Sequence, residues 1–254
     1  MRMKYLFAGL FLLIASGVTY WVIPYKECVP QNREIALTLD DLPLEQVFFE
    51  KIMHALIGHK APAIGFVIGN QVNERYSPYL QEFLNAGFLL GSHSYSHLNL
   101  KKTSAELYIA DLDHADKILT PLMTGTKYFR YPYLSEGKWG TRQKVLNYLT
   151  THHYTVAPVT IDSRDFVFNL EFIQHPDRYN PEFLRQLKQR YLNFVWEQTQ
   201  KVERSQHCNS TKQILLLHAN ALNSLFLNDL LKMYEEHGYR FITLNEAITS
   251  NTPS

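Results

Sequence analysis

Charge of one sign is what this chain lacks most plainly: 25 Lys and Arg stand against 24 Asp and Glu in 254 residues, a formal net charge of +1. No broad field exists to hold a nucleic-acid backbone or an anionic membrane, so nucleic acid is not an expected partner. No Ser/Gly/Pro-rich linker, charge block or internal repeat interrupts residues 30–249, which read as one domain. Cysteine is nearly missing, with Cys28 and Cys208 alone, so one disulfide is the most the chain can form. Against these absences stand 46% hydrophobic and 13% aromatic residues, 16 Tyr and 15 Phe among them. That is enough apolar mass for a full core, and it excludes disorder and collagen-like structure. Aromatic residues line sugar-binding grooves and ordinary cores alike, so composition does not choose between them.

Arg2 and Lys4 precede an uncharged apolar run from Tyr5 to Ile23, with the small residues Ala15, Ser16 and Gly17 inside it. A basic flank, an apolar stretch and an A-x-A-like cleavage site make a signal peptide. The run is also close to the roughly 20 residues that span a bilayer, so an uncleaved inner-membrane anchor competes with cleavage. Residues 1–25 are therefore expected to be a signal peptide or anchor, and residues 26–254 an exported body, periplasmic or extracellular. An oxidising compartment permits a disulfide between Cys28 and Cys208, and two unpaired thiols are the alternative. The body is expected to be a monomer.

Seven short apolar, β-branched or aromatic runs read as strands: Glu34–Leu39, Ala63–Ile68, Phe88–Gly91, Lys127–Tyr131, Thr155–Ile161, Gln213–His218 and Tyr239–Thr243. Helical patterns lie between them. Leu44, Val47, Phe48, Ala55 and Leu56 share one face, and Thr103-Ser104-Ala105-Glu106 reads as a capping box opening a helix to Leu119. Asn85-Ala86-Gly87 and His237-Gly238 supply C-terminal stops. Repeated β-α units imply a mainly parallel sheet with helices outside, a barrel or a doubly wound sheet, with chemistry at the C-terminal strand ends.

The polar residues that stand out fall at those ends. Asp40 and Asp41 close the first strand, and neighbouring carboxylates repel unless a cation or an Arg compensates them; alternatively the pair caps the next helix. His93 and His97 are four residues apart, which on a helical turn places both imidazoles on one face to share a metal. With a carboxylate they make a two-His, one-carboxylate set that leaves positions for water and substrate. One exposed and one core histidine is the plainer alternative. Arg130 ends the fourth strand and can pair with a carboxylate. His218 ends a buried apolar strand, where Asp162 or Asp165 could hold it cationic and ready to donate; otherwise Asp165 merely pairs with Arg164. His54, His59, His152, His153, His175, His207 and His237 read as surface residues.

Taken in order, Thr38-Leu39-Asp40-Asp41, His93-Ser94-Tyr95-Ser96-His97, Arg130-Tyr131-Pro132-Tyr133, Asp162-Ser163-Arg164-Asp165-Phe166 and Leu216-Leu217-His218 resemble the five motifs of the polysaccharide deacetylase family, carbohydrate esterase family 4 or NodB homology domain. The resemblance covers roughly residues 33–247. It implies an α/β fold, a distorted (β/α)7 barrel, and a divalent metal, usually zinc, on Asp41, His93 and His97. It further implies Asp40 as the base, Arg130 orienting it, the Tyr133 N–H in the oxyanion site, His218 as the acid tuned by Asp165, and Phe166 and Leu216 walling the acetyl pocket. Three positions depart from the family pattern: Leu42 and Leu134 stand for glycines and Phe166 for a tryptophan, while Pro43 is kept. These changes are expected to remodel the groove beside the metal. The implied activity is removal of N-acetyl groups from an N-acetylglucosamine-type glycan, peptidoglycan or chitin-like. O-acetyl ester hydrolysis and glycan binding without turnover are the alternatives.

Overall fold

The computed structural model describes residues 32–206 and 212–249. The expected signal or anchor, Cys28, His207 and Cys208 lie outside the described residues. Among the described residues no helix is long and apolar enough to cross a membrane.

Strands and helices alternate along the chain. The strands are β1 (Arg33–Leu42), β2 (Ala63–Val67), β3 (Leu89–Ser92), β4 (Lys127–Phe129), β5 (Tyr154–Val156), β6 (Ile161–Asp162), β7 (Gln213–His218) and β8 (Tyr239–Ile242). The helices are α1 (Gln46–Gly58), α2 (Ser77–Asn85), α3 (Ala105–Leu119), α4 (Trp139–Thr151), α5 (Asp165–Gln174), α6 (Pro181–Ser205), α7 (Ala221–Glu236) and α8 (Leu244–Thr249). The sheet runs β5-β4-β3-β2-β1-β7-β6, with β8 beside the first residues of β1. Every pairing is parallel, and the curled sheet forms the expected distorted barrel.

The expected strand Thr155–Ile161 is two strands at opposite edges of the sheet. The Ala157 N–H still donates to Phe129 O of β4 at 2.8 Å, whereas the Thr160 N–H donates to Ile214 O of β7 at 3.0 Å. Residues 157–160 therefore cross the seam between the sheet's two edges, and Pro158, which has no N–H to give a ladder, stands at the crossing.

Period-two alternation divides the side chains. Ile35, Leu37 and Leu39 of β1, with Leu215 and Leu217 of β7, join the core packed under the outer helices. Ala36, Ile64, Phe66 and Ile214 turn into the barrel and meet Leu244 and Ala247 of α8, which plugs its lower end. The same alternation sends Thr38 and Asp40 of β1 inward, with Asp40 in register with His218.

Several local expectations shift. The buried face of α1 is Phe49, Ile52, Met53, Ala55 and Leu56, while Val47 is 54% exposed. Ser104, not Thr103, caps α3: its Oγ accepts from the Leu107 N–H, and Thr103 Oγ1 donates back to Asn99 O. The C-terminal stops are as expected, with Gly87 and Gly238 at φ +87° and +78° after α2 and α7. His59, His152 and His175 are half-buried rather than on the surface; His152 stacks on Tyr148 and His175 on Phe183.

Candidate active site

The top of β1 carries the carboxylates. Asp40 is buried, and Asp41 follows at φ +65°, a left-handed conformation costly for a non-glycine residue, which turns it away from the inward direction of Asp40. Neither caps a helix, since Glu45 occupies that position before α1. Leu42 does not line a groove: it is buried, and its side chain fills the space above Gly65, where a Cβ would lie 1.9 Å from Leu42 Cδ1. The expected remodelling of the groove therefore fails at Leu42. Leu134 and Phe166 are exposed and free to shape one.

His93 and His97 do not share a helical turn. They sit on a loop after β3 in which Ser94 and His97 have φ of +65° and +55°. Two anchors hold that loop. Asp111 of α3, buried, accepts from the Tyr95 N–H at 2.9 Å and the Ser96 N–H at 3.1 Å, and Ser94 Oγ accepts from the His97 N–H at 3.0 Å. Sequence reasoning missed Asp111. Its signal was a carboxylate on the same buried helical face as Tyr108, Leu112 and Ala115.

Asp41, His93 and His97 nevertheless converge. Their ligand atoms all lie within 4.8 Å of one another, the one such group of three among the described residues. Asp41 Oδ1 is 3.3 Å from His97 Nε2 and 3.5 Å from His93 Nε2. Metal bonds of about 2.0–2.2 Å at tetrahedral angles place neighbouring ligand atoms roughly 3.3 Å apart, so the spacing fits a shared ion. Asp41 Oδ1 is buried and accepts no hydrogen bond, an orphaned atom that a cation would satisfy. His93 Nδ1 faces Arg130 O at 2.9 Å; a carbonyl accepts only from N–H, so Nε2 carries the free lone pair. Burial drives the His93 pKa below its ordinary value against the pull of Asp40 and Asp41, which favours the neutral ring a metal requires. Burial raises the pKa of Asp41, but the surrounding imidazoles of His97, His93 and His218 hold it lowered overall.

Arg130 lies wholly inside the barrel. Its Nε donates to Ala157 O at 3.0 Å, and one terminal nitrogen donates to Thr38 Oγ1 at 3.2 Å and Pro158 O at 3.4 Å, so the guanidinium ties the seam crossing to β1. Its other terminal nitrogen faces Asp40 Oδ1 at 3.6 Å. That contact is a charge pairing beyond hydrogen-bond range, and both atoms are buried without a hydrogen-bond partner. Asp40 Oδ2 lies 3.7 Å from His93 Nε2.

Opposite Asp40, His218 ends β7. Its Nδ1 pairs with Asp165 Oδ1 at 2.6 Å, and its backbone N–H donates to Asp165 Oδ2, also at 2.6 Å. Burial pulls the His218 pKa down, but the bond to Asp165 and the charges of Asp165, Asp40 and Asp41 outweigh it and raise it to about 9. Asp165 is thus the carboxylate that holds His218, while Asp162 caps the Arg164 N–H at 2.9 Å. Phe166 meets the His218 ring edge-on at 5.9 Å, and Leu216 is buried two residues below it. Tyr133 and Leu134 both have positive φ, +58° and +50°, in the turn after Pro132, and the exposed Tyr133 ring stands 4.6 Å from that of His97. Two adjacent left-handed non-glycine residues mark a strained corner beside the ligand group. All ten residues expected at the site lie around this one end of the barrel.

Comparison with known proteins agrees with this geometry. Residues 29–157 match the polysaccharide deacetylase family, a stretch holding Asp40, Asp41, His93, His97, Arg130 and Tyr133. A peptidoglycan-N-acetylglucosamine deacetylase of Bacillus cereus is 32% identical over 134 residues, 50% of this chain and 48% of the relative, so the match spans about half of that protein. Among solved structures, the chitin deacetylase of Colletotrichum lindemuthianum has a TM-score of 0.62 at 22% identity, over 86% of this chain and 89% of that one. A CE4 family pseudoenzyme from Bacillus anthracis has a TM-score of 0.64 at 18% identity, over 86% of this chain and 66% of that one. At these identities the structures speak to the fold alone. With half of its length matched and the curled sheet in place, the chain belongs to the polysaccharide deacetylase family.

Proposed function

We propose that this protein hydrolyses the N-acetyl groups of an N-acetylglucosamine-type glycan, peptidoglycan or a chitin-like polymer, outside the inner membrane. The observation that carries the reading is the pair Asp40 and His218: a buried carboxylate and a cationic imidazole on adjacent strand ends, flanking the ligand atoms of Asp41, His93 and His97. A divalent cation bound by those three, zinc in the first instance, would supply Lewis acidity toward a carbonyl oxygen and toward water.

The protein's own groups divide the remaining work. Asp40 accepts the proton of the attacking water, with Arg130 holding its carboxylate through charge. The Tyr133 N–H donates to the oxygen of the tetrahedral carbon. His218 gives its Nε2 proton to the departing amine, and Asp165 on Nδ1 stabilises the cation beforehand. Leu216 and Phe166 offer apolar surface to the acetyl methyl. The deacetylase relatives support the amide as the bond attacked. The basic, apolar N-terminus supports export with cleavage or anchoring.

The test is acetate release by the purified protein from N-acetylglucosamine oligomers and from peptidoglycan, with zinc and after chelation. Metal-dependent release from either polymer supports the reading and ranks the two substrates. Release only from O-acetylated sugars, or glycan binding without release, overturns it.

A further inference from the structure

Asp165 is fully buried, and a buried carboxylate is stable only when its oxygens are filled by donors. His218 supplies two of these through Nδ1 and its backbone N–H. The third comes from Asn223, whose Nδ2 donates to Asp165 Oδ2 and also to His218 O at 2.9 Å. Asn223 is itself fully buried in the first turn of α7, and its Oδ1 accepts from the Tyr191 hydroxyl of α6 at 2.9 Å. An Asn amide has two unlike ends, and only the NH2 end can face a carboxylate. The carboxylate and the carbonyl thus set which way the amide points, and the Tyr191 hydroxyl, donating to the oxygen end, holds it in place. Capping of α7 does not need this amide, because Asn220 Oδ1 accepts the Asn223 backbone N–H at 2.9 Å.

We propose that Asn223, held by Tyr191, is a positioning residue that locks Asp165 and His218 into one rigid acid unit. Both N–H bonds of its side chain go to that pair, one to the carboxylate and one to the carbonyl of the histidine. His218 stands at the mouth of the barrel, where Phe166 meets its ring edge-on, and the buried relay from α6 through α7 holds the Nδ1 side of that ring. Burial keeps the Tyr191 hydroxyl protonated, so it remains a donor.

The inference rests on the proposed reading of His218 as the acid, and its test separates the two. Tyr191→Phe removes one hydroxyl at constant volume. It is expected to lower kcat about five- to tenfold, the worth of one hydrogen bond, with KM unchanged. In an Asp165→Asn background, the same change is expected to cost nothing further, because the relay then has no carboxylate to orient. Equal losses in both backgrounds would mean an independent structural effect and overturn the proposal. A substrate-free readout covers failure of the deacetylase reading: the His218 Nδ1–H resonance in the NMR spectrum should exchange faster or broaden in Tyr191→Phe and in Asn223→Leu. An unchanged resonance in both variants would also overturn it.

Discussion

At the residue scale, the proposed proton carriers are set apart by what surrounds them. His218 is cationic because Asp165 outweighs burial, so its protonated form is present below about pH 9 and lost above it. With a folded pKa above the ordinary value of about 6.5, the pair's stabilisation is complete below that pH and fades as pH rises through about 9. Asp165→Asn keeps the burial and removes the anion. The alkaline limb of kcat/KM is therefore expected to move to lower pH, and a pH–rate profile of the variant against wild type checks the direction. Asp40 turns Oδ1 to the Arg130 guanidinium and Oδ2 toward His93, so Oδ2 is the oxygen on the ligand side, where a base must accept a proton. Asp40→Asn keeps the shape and is expected to lower kcat at least about 100-fold with the metal retained. Steady-state rates together with metal content decide this, and a loss of only a few-fold would reject the role of base. Asp40, Asp41, His93, Arg130 and His218 stood out in the sequence because each ends a strand or opens the loop after one, whereas Tyr133, Phe166 and Leu216 came only with the family resemblance. Thr38, Asp111, Tyr191 and Asn223 were not legible, because they act on the site residues through backbone groups or other side chains far away in the chain.

At the scale of elements, the apolar runs of β1 and β7 ending in Asp40 and His218 were readable, and their parallel pairing delivers both residues to the same rim. Loop geometry was not readable. The spacing of His93 and His97 fits a helical turn, yet Asp111 and Ser94 hold those residues in an irregular loop with two positive φ values. The split of Thr155–Ile161 into β5 and β6 depends on which neighbours each half finds, and local propensity carries no such information. Leu42 shows the same limit: its neighbour Gly65 lies across a strand pairing, so that exchange of volume is invisible from either position alone. Gly65→Ala would push a methyl to 1.9 Å from Leu42 Cδ1 in a tightly packed core. A destabilisation of about 1–3 kcal/mol is expected. Leu42→Ala alone leaves a cavity worth about 2–5 kcal/mol. Combining the two should cost less than their sum, since each relieves the other, and urea denaturation of the three variants measures it.

At the scale of the whole molecule, the ligand group joins the sheet's central strand to a loop anchored on an outer helix. Asp41 belongs to the central strand, while His93 and His97 belong to a loop held by α3. An ion bridging them binds the folded chain and not the unfolded one. Zinc at 100 times its dissociation constant would thus add about 2.7 kcal/mol to stability. For a domain of this size, each kcal/mol is worth about 2–4 °C, so Tm should rise by roughly 5–10 °C and fall back on chelation. Arg130 ties the seam to β1 from inside the barrel without using the ligand atoms, so the metal-free chain should still melt as one cooperative unit. His97→Ala keeps that seam and removes one ligand. Its Tm without zinc should lie close to that of the metal-free wild type, and the rise on adding zinc should largely vanish. A rise as large as that of wild type would place the ion elsewhere than on Asp41, His93 and His97.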